Sequence, residues 1–248
     1  MDDNGAYETR FEAVLTRNGF GSEYQNSSGS FQRALQLIES SIKGDSFRAV
    51  DIGCAYGFTT KRLLDDPRSQ VIANDLCTQH LSELWTSLTP EKQQRLTLSG
   101  ENFLDMKLDP NSVDCLFALR VFHFLSGDQI RQAFAKFAQW LKPNGIVLIT
   151  CSSPFRSTLS RTLLAKFESE RDKTDWPGDI WVKDFCSDEL YLRNVRNRMN
   201  FIVPDQLIRE SIRVDLRILE AGYENRPSKT NESPTKEYSY LIAQNEGI

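Results

Sequence analysis

Residues 49–64 read AVDIGCAYGFTTKRLL, and the reading of this stretch decides the fold. An apolar run ends at Asp51-Ile52, two glycines follow at Gly53 and Gly57, and a helix-forming segment begins at Phe58. A strand, a glycine turn and a helix in that order form a ligand-binding turn. A dinucleotide turn would carry G-x-G-x-x-G. Counted from Gly53, the second glycine is Ala55 and the third is Phe58. Phe at the third position obstructs close packing of helix on strand. Asp51 would also repel a pyrophosphate at short range. Both features argue against a nicotinamide-dependent oxidoreductase. They suit a ligand without phosphate that carries positive charge.

Outward from this turn the chain alternates. Residues 47–53, 70–75, 95–100, 112–119 and 146–152 read as strands rich in Val, Ile and Leu. Helices are expected over 58–65, 78–88 and 127–141, the last ended by the Lys142-Pro143-Asn144-Gly145 turn. Strands without strict alternation are buried on both faces of a parallel sheet. Repeated strand–helix units build an open sheet whose ligand crevice lies beyond the carboxyl ends of the strands. Upstream, helices are expected over 8–18 and 30–42, the second with Ser30 as N-cap, around a polar loop at 19–29. Downstream, the charged and aromatic stretch 154–203 reads as an inserted helical cap. A helix is expected over 203–223, opened by Pro204 and stopped by Gly222, then a polar loop over 226–237 and a last strand over 238–244.

The order and spacing of these motifs resemble class I S-adenosylmethionine-dependent methyltransferases. The family pattern D-x-G-x-G-x-G stands here as Asp51-Ile52-Gly53-Cys54-Ala55-Tyr56-Gly57, with Ala in place of the middle glycine. The resemblance covers about residues 47–152. It implies an α/β fold with a doubly wound, Rossmann-like, mostly parallel seven-stranded sheet, helices on both faces and a helical cap insertion. It implies S-adenosyl-L-methionine as cofactor and a small-molecule methyl acceptor as partner. By the same resemblance Asp75 would hold the ribose hydroxyls and Leu76 would pack on the adenine. Asn102 would meet the adenine amino group, beside Phe103, with Asp105 and Glu101 as alternatives. Leu119 and Arg120 would flank the methionine part. Asp51, Gly53, Cys54, Ala55 and Gly57 complete the expected cofactor site, with the helix N-terminus near Phe58 favouring the ligand carboxylate.

His123, near the end of the fourth strand, is the candidate general base; the alternative is that it packs among the neighbouring aromatics. Trp176, Trp181 and Tyr191 are either cap core or acceptor pocket. The loop with Tyr24 and Gln25 would cover the cofactor. The basic run at 191–200 is a solvated helix face or a site for an anionic acceptor. Expected units are 1–46, N-terminal helices and covering loop; 47–153, cofactor-binding core; 154–203, cap; and 204–248, the completing helix and strand. The acceptor atom is oxygen, nitrogen or carbon, and the first reading is oxygen or nitrogen. A protein acceptor and a binding module without turnover are the competing readings.

The chain has 248 residues, 40% of them hydrophobic, and a formal net charge of −4. It can bury one sizeable core. Its charge disfavours nucleic acid, whose binding needs an excess of Lys and Arg. Five cysteines lack zinc-site or redox spacing and read as buried thiols in a reducing compartment. No metal site is expected. The first residues lack the basic and apolar regions of a secretory signal, and no run reaches the roughly 20 apolar residues of a membrane span. A cytoplasmic protein is the expectation.

Overall fold

A computed structural model describes residues 13–19, 21–24, 27–156, 159–186, 189–193, 196–225 and 236–247. The expected polar loop at 226–235 and residues 8–12 of the first expected helix lie outside them. The central sheet is built from β3 (Phe47–Ile52), β4 (Ser69–Asn74), β5 (Leu96–Ser99), β6 (Val113–Leu119), β7 (Leu141–Ser152), β10 (Leu216–Glu224) and β11 (Tyr238–Asn245). Its seven strands lie in the order β10-β11-β7-β6-β3-β4-β5. Only β11 runs against the other six. This is the doubly wound, mostly parallel sheet expected from the sequence. The strand order reverses at β3, so the crevice opens beyond the carboxyl ends of β3 and β6.

Alternate residues of each central strand feed opposite cores. Val50, Ile52, Leu116, Ala118, Val147 and Ile149 face one way, against Ile130, Phe134, Phe137 and Trp140 of α5 (Gly127–Trp140) and Leu207 of α8 (Pro204–Ile212). Ala49, Cys115, Phe117, Ile146 and Leu148 face the other way. They meet Phe31, Ala34 and Ile38 of α1 (Gly29–Ser41), Leu63 and Leu64 of α2 (Phe58–Leu64), and Leu81 and Leu84 of α3 (Thr78–Thr86). Burial on both faces explains why the strands read as continuous apolar runs. At about 25 cal/mol per Å² of apolar surface, this burial is the main stabilising term. Ser126 caps α5 with a reciprocal Gln129 capping box. A short α4 (Pro90–Gln93) precedes β5.

Several expectations are corrected. Residues 13–18 are not helical: β1 (Ala13–Leu15) pairs antiparallel with β2 (Ser22–Tyr24) in a hairpin. The N-cap of α1 is Ser28, whose hydroxyl accepts from the Phe31 amide, not Ser30. The helix expected over 203–223 ends at Ile212, and the chain turns through Asp215 at φ +56° into β10. Pairing with β11 over eight positions overrides the helical pattern there, and Gly222 sits inside a strand. The 154–203 insertion is mixed rather than helical. It holds α6 (Arg161–Glu170), α7 (Glu189–Leu192) and the antiparallel pair β8 (Asp179–Trp181) with β9 (Arg198–Asn200). The basic run is therefore not one helix face. All five cysteines are free thiols. Among the described residues no helix is long and apolar enough to cross a membrane.

Gly57 ties the turn after β3 to this packing. Its φ is +85°, and a Cβ there would lie 2.3 Å from Leu84 Cδ1. Gly57→Ala is expected to destabilise the fold by about 1–3 kcal/mol, from left-handed strain and overpacking together. A drop in the urea midpoint without a change of slope would register it.

Candidate active site

A cavity of about 460 Å³ opens at the carboxyl ends of β3, β4 and β6, within the ordinary range for ligand sites. Asp51, Gly53, Cys54, Ala55, Asp75, Leu76, Asn102, Phe103, Leu119, Arg120, His123 and Tyr24 all line it. The elements explain the convergence. Parallel strands end together, and each turn delivers its first residues to the same rim.

The turn after β3 is held in left-handed backbone at Gly53 (φ +66°), Ala55 (φ +46°) and Gly57. Glycine at Gly53 also makes room for Val121, whose Cγ2 would lie 2.5 Å from an added Cβ. Gly57 does not line the cavity; it serves helix packing instead. Asp75 closes β4. Its Oδ2 accepts from the Ala55 amide at 2.9 Å and its Oδ1 from the Cys77 amide at 2.8 Å. His80 Nδ1 stands 3.2 Å from the same Oδ1. Because His80 Nε2 accepts from the Arg17 amide at 3.1 Å, the ring proton belongs on Nδ1, donating to Asp75. Oδ2 keeps lone-pair capacity toward the cavity.

Asp51 is buried, and its Oδ2 accepts from the Thr60 hydroxyl at 2.7 Å. Burial pushes its carboxyl up to about 7; the Thr60 hydroxyl opposes this, and Glu23 and Asp75 add to it. Three acidic groups therefore share this end of the cavity. Glu23 carries a correction with it. Its Oε1 accepts from the Phe58 amide at 2.9 Å, so that helix terminus is already supplied with a carboxylate. Leu76 is 61% exposed on the cavity rim, an apolar platform. Asn102 is exposed and its Oδ1 accepts from the Leu104 amide at 3.1 Å. Phe103 is buried against Phe137.

The β1–β2 hairpin borders the acidic end of the cavity through Thr16, Ser22, Glu23 and Tyr24. Tyr56 donates its hydroxyl to the Leu15 carbonyl at 2.9 Å, and Tyr238 donates to Tyr24 Oη at 2.9 Å. Arg120, itself at φ +59°, lays its guanidinium over the Tyr24 ring at 4.9 Å. Gln25 lies outside the described residues.

At the other end, His123 sits on a turn of 3₁₀ helix, Phe122–Phe124. Its Nδ1 accepts from the Ser152 amide at 3.2 Å, which puts the ring proton on Nε2. Burial holds the imidazole well below its ordinary pKa, and Arg156, Arg120 and Arg196 push the same way. This His is a neutral donor rather than a proton acceptor. Sequence reasoning missed Arg156, Arg196, Met199, Ser152, Glu23 and Tyr238, which also line the cavity. Only the basic run containing Arg196 gave any signal. Two of the expected acceptor residues are elsewhere. Trp176 is wedged against Gly127 and between Arg131 and Arg209. Trp181 is 53% exposed, and neither lines the cavity. The Tyr191 side chain lies outside the described residues. Among the described residues no group of His, Cys, Asp or Glu is placed to hold a metal.

Residues 50–149 match a family model described as a methyltransferase domain. A malonyl-[acyl-carrier protein] O-methyltransferase from Halalkalibacterium halodurans is 28% identical over 127 residues, 49% of this chain and 46% of that protein. The match thus spans about half the length of that relative. A methyltransferase structure from Methanosarcina mazei superposes with a TM-score of 0.63 at 13% identity, covering 86% of this chain and 98% of that one. A Burkholderia thailandensis 1,6-didemethyltoxoflavin-N1-methyltransferase, solved with S-adenosylhomocysteine, gives 0.58 at 13%, covering 88% and 78%.

The raised Asp51 sets a pH dependence. The folded state holds a proton that the unfolded state, titrating near the ordinary carboxyl value of 3.8, has released. Stability is therefore expected to fall as pH rises from about 4 through about 7. Asp51→Asn keeps an acceptor for Thr60 and should gain stability relative to the parent as pH increases. Urea midpoints at pH 5 and pH 8 compare the two; a constant difference would contradict the assignment.

Proposed function

We propose that this chain, whose residues 50–149 match a model described as a methyltransferase domain, is a class I S-adenosylmethionine-dependent methyltransferase that transfers a methyl group to an oxygen or nitrogen of a small-molecule acceptor. The observation that carries the reading is the division of one cavity by charge. Asp51, Asp75 and Glu23 make one end acidic, while Arg120, Arg156 and Arg196 surround His123 at the other. S-adenosylmethionine would supply an electrophilic methyl group on a sulfonium.

The residues present fit that cofactor. The positive-φ turn at Gly53 and Ala55 presents backbone to a ligand without phosphate. The Glu23 carboxylate favours its cationic amino-acid tail, and the tail's positive charge would in turn favour the ionised form of Asp51. Asp75 is positioned to accept from vicinal ribose hydroxyls, and the exposed Leu76 to be covered by adenine. Asn102 and Phe103 border the adenine side, with Cys54 and Leu119 near the tail and Arg120 where the tail would meet the basic end. Tyr24 and its hairpin exclude water, which strengthens each of these interactions. Methyl transfer is an in-line displacement, so holding donor and acceptor in register supplies much of the acceleration. The Nε2–H of His123 orients the acceptor and does not deprotonate it.

Oxygen and nitrogen are both supported by relatives, one named for O-methylation and one for N1-methylation. Free thiols on all five cysteines support a reducing, cytoplasmic setting. The acceptor is read as a small molecule because the cavity, about 460 Å³, is of the size that takes one, and the chain is net acidic, which disfavours nucleic acid.

Asp75→Asn is expected to weaken S-adenosylhomocysteine binding about 100-fold, through loss of two charge-assisted hydrogen bonds. Calorimetry measures it, with the melting temperature recorded alongside because Asp75 also holds Ala55 and Cys77. Undiminished affinity would remove Asp75 from the cofactor site.

A further inference from the structure

Resting on the methyltransferase reading, we propose that the acceptor is a carboxylic acid on an apolar body, methylated on its own carboxylate, with Arg156 and Arg196 binding that group. Arg156 follows β7, Arg196 precedes β9, and both line the cavity beside His123. Arg156 is 8% exposed. Its Nη1 donates to Ser152 Oγ at 2.9 Å, and its guanidinium lies over the Tyr238 ring at 5.1 Å. This packing fixes the fork in one orientation. Arg196 lies over the Phe124 ring at 5.5 Å, next to His123. Two carboxylates stand among the arginines. Glu237 is 3.9 Å from Arg156 Nε, and Glu224, which accepts from the Ser30 amide at 3.2 Å, is within electrostatic reach of Arg120. Arg120, Arg156 and Arg196 bring three guanidiniums to His123, a setting that suits a bound carboxylate. Phe124, Leu125 and Met199 line the same cavity and suit a carbon body.

The second line of argument is the base. A hydroxyl or ammonium acceptor must lose a proton, and His123 is arranged as a donor with its Nδ1 taken by the Ser152 amide. A carboxylate has already lost its proton at neutral pH. One of its oxygens can be held by the guanidiniums and His123 Nε2–H while the other forms the new O–CH3 bond. The S–CH3 bond breaks, and its electron pair goes to sulfur. The charges of carboxylate and sulfonium cancel, and no proton moves. The methyl ester produced is neutral and loses its attraction to Arg156 and Arg196, which favours release.

Calorimetry without cofactor tests the assignment on straight-chain acids from acetate to decanoate and on benzoate, each against its amide. At least one acid is expected to bind tenfold or more tightly than its amide. Arg156→Gln should weaken that acid at least tenfold while S-adenosylhomocysteine affinity stays within twofold, and Arg156→Lys should fall between. With labelled S-adenosylmethionine the transferred label should be released as methanol by mild alkali. The proposal is overturned if no acid outbinds its amide, if phenyl phosphate outbinds benzoate, or if the label sits in an alkali-stable product. Failure of S-adenosylhomocysteine to bind would instead strike the methyltransferase reading itself.

Discussion

The site depends on one carboxylate. Asp75 accepts from the Ala55 amide in the turn after β3 and from the Cys77 amide at the start of α3. It therefore fixes the two turns that flank the crevice with respect to each other. Through His80 it reaches further, since the imidazole that donates to Asp75 also accepts from Arg17 on the β1–β2 hairpin. Hairpin, turn and helix are thus registered on a single buried anion. A hydrogen bond to a charged group in such a setting contributes about 1.5–3 kcal/mol, and its loss would leave buried amides without partners. Asp75 also lines the cavity, so the group that organises the scaffold is the one proposed to hold the cofactor.

Charge segregation follows from chain topology. The acidic end is built by β3, β4 and the N-terminal hairpin, which bring Asp51, Asp75 and Glu23 together. The basic end is built where β11 enters antiparallel beside β7. That register sets Tyr238 opposite Ser152, so the residue that begins one strand meets the residue that ends the other. Arg156, four residues beyond Ser152, then folds back over Tyr238. Under the proposed reading, a sulfonium and an anionic acceptor bound at the two ends of this cavity would attract each other across it.

How much of this was legible in the sequence varies with the range of the interaction. The five parallel strands and the turn at Gly53 were readable because hydrophobic runs and glycine spacing are local. Asp51, Asp75, Leu76 and Asn102 fell on the cavity because strand ends in this fold share a rim. β10 was misread because Pro204 and Gly222 resemble helix punctuation. The alternation of Val214, Leu216 and Ile218 with charged residues was the better guide. The β1–β2 strands have three residues each and leave no periodic signal. Arg156 and Tyr238 are joined by sheet pairing across more than eighty residues, which no local pattern records. Aromatic residues in the insertion read equally well as core or pocket, and Trp176 and Trp181 turned out to be neither acceptor wall.

Ala55 shows how the turn tolerates a departure from glycine. At φ +46° an alanine is in left-handed backbone, at a cost of about 1–2 kcal/mol per residue. The residue's own amide is the one that Asp75 holds at 2.9 Å, and that bond is of comparable or greater worth. The turn therefore keeps its shape without a glycine because the carboxylate holds the amide in place. The conformation is sustained by a charge on the neighbouring strand and not by local backbone freedom. A methyl group at this point also narrows the approach to the turn. It favours a ligand whose contacts there are with the Asp75 carboxylate and the backbone beside it, over one that must pass a bulky phosphate across it.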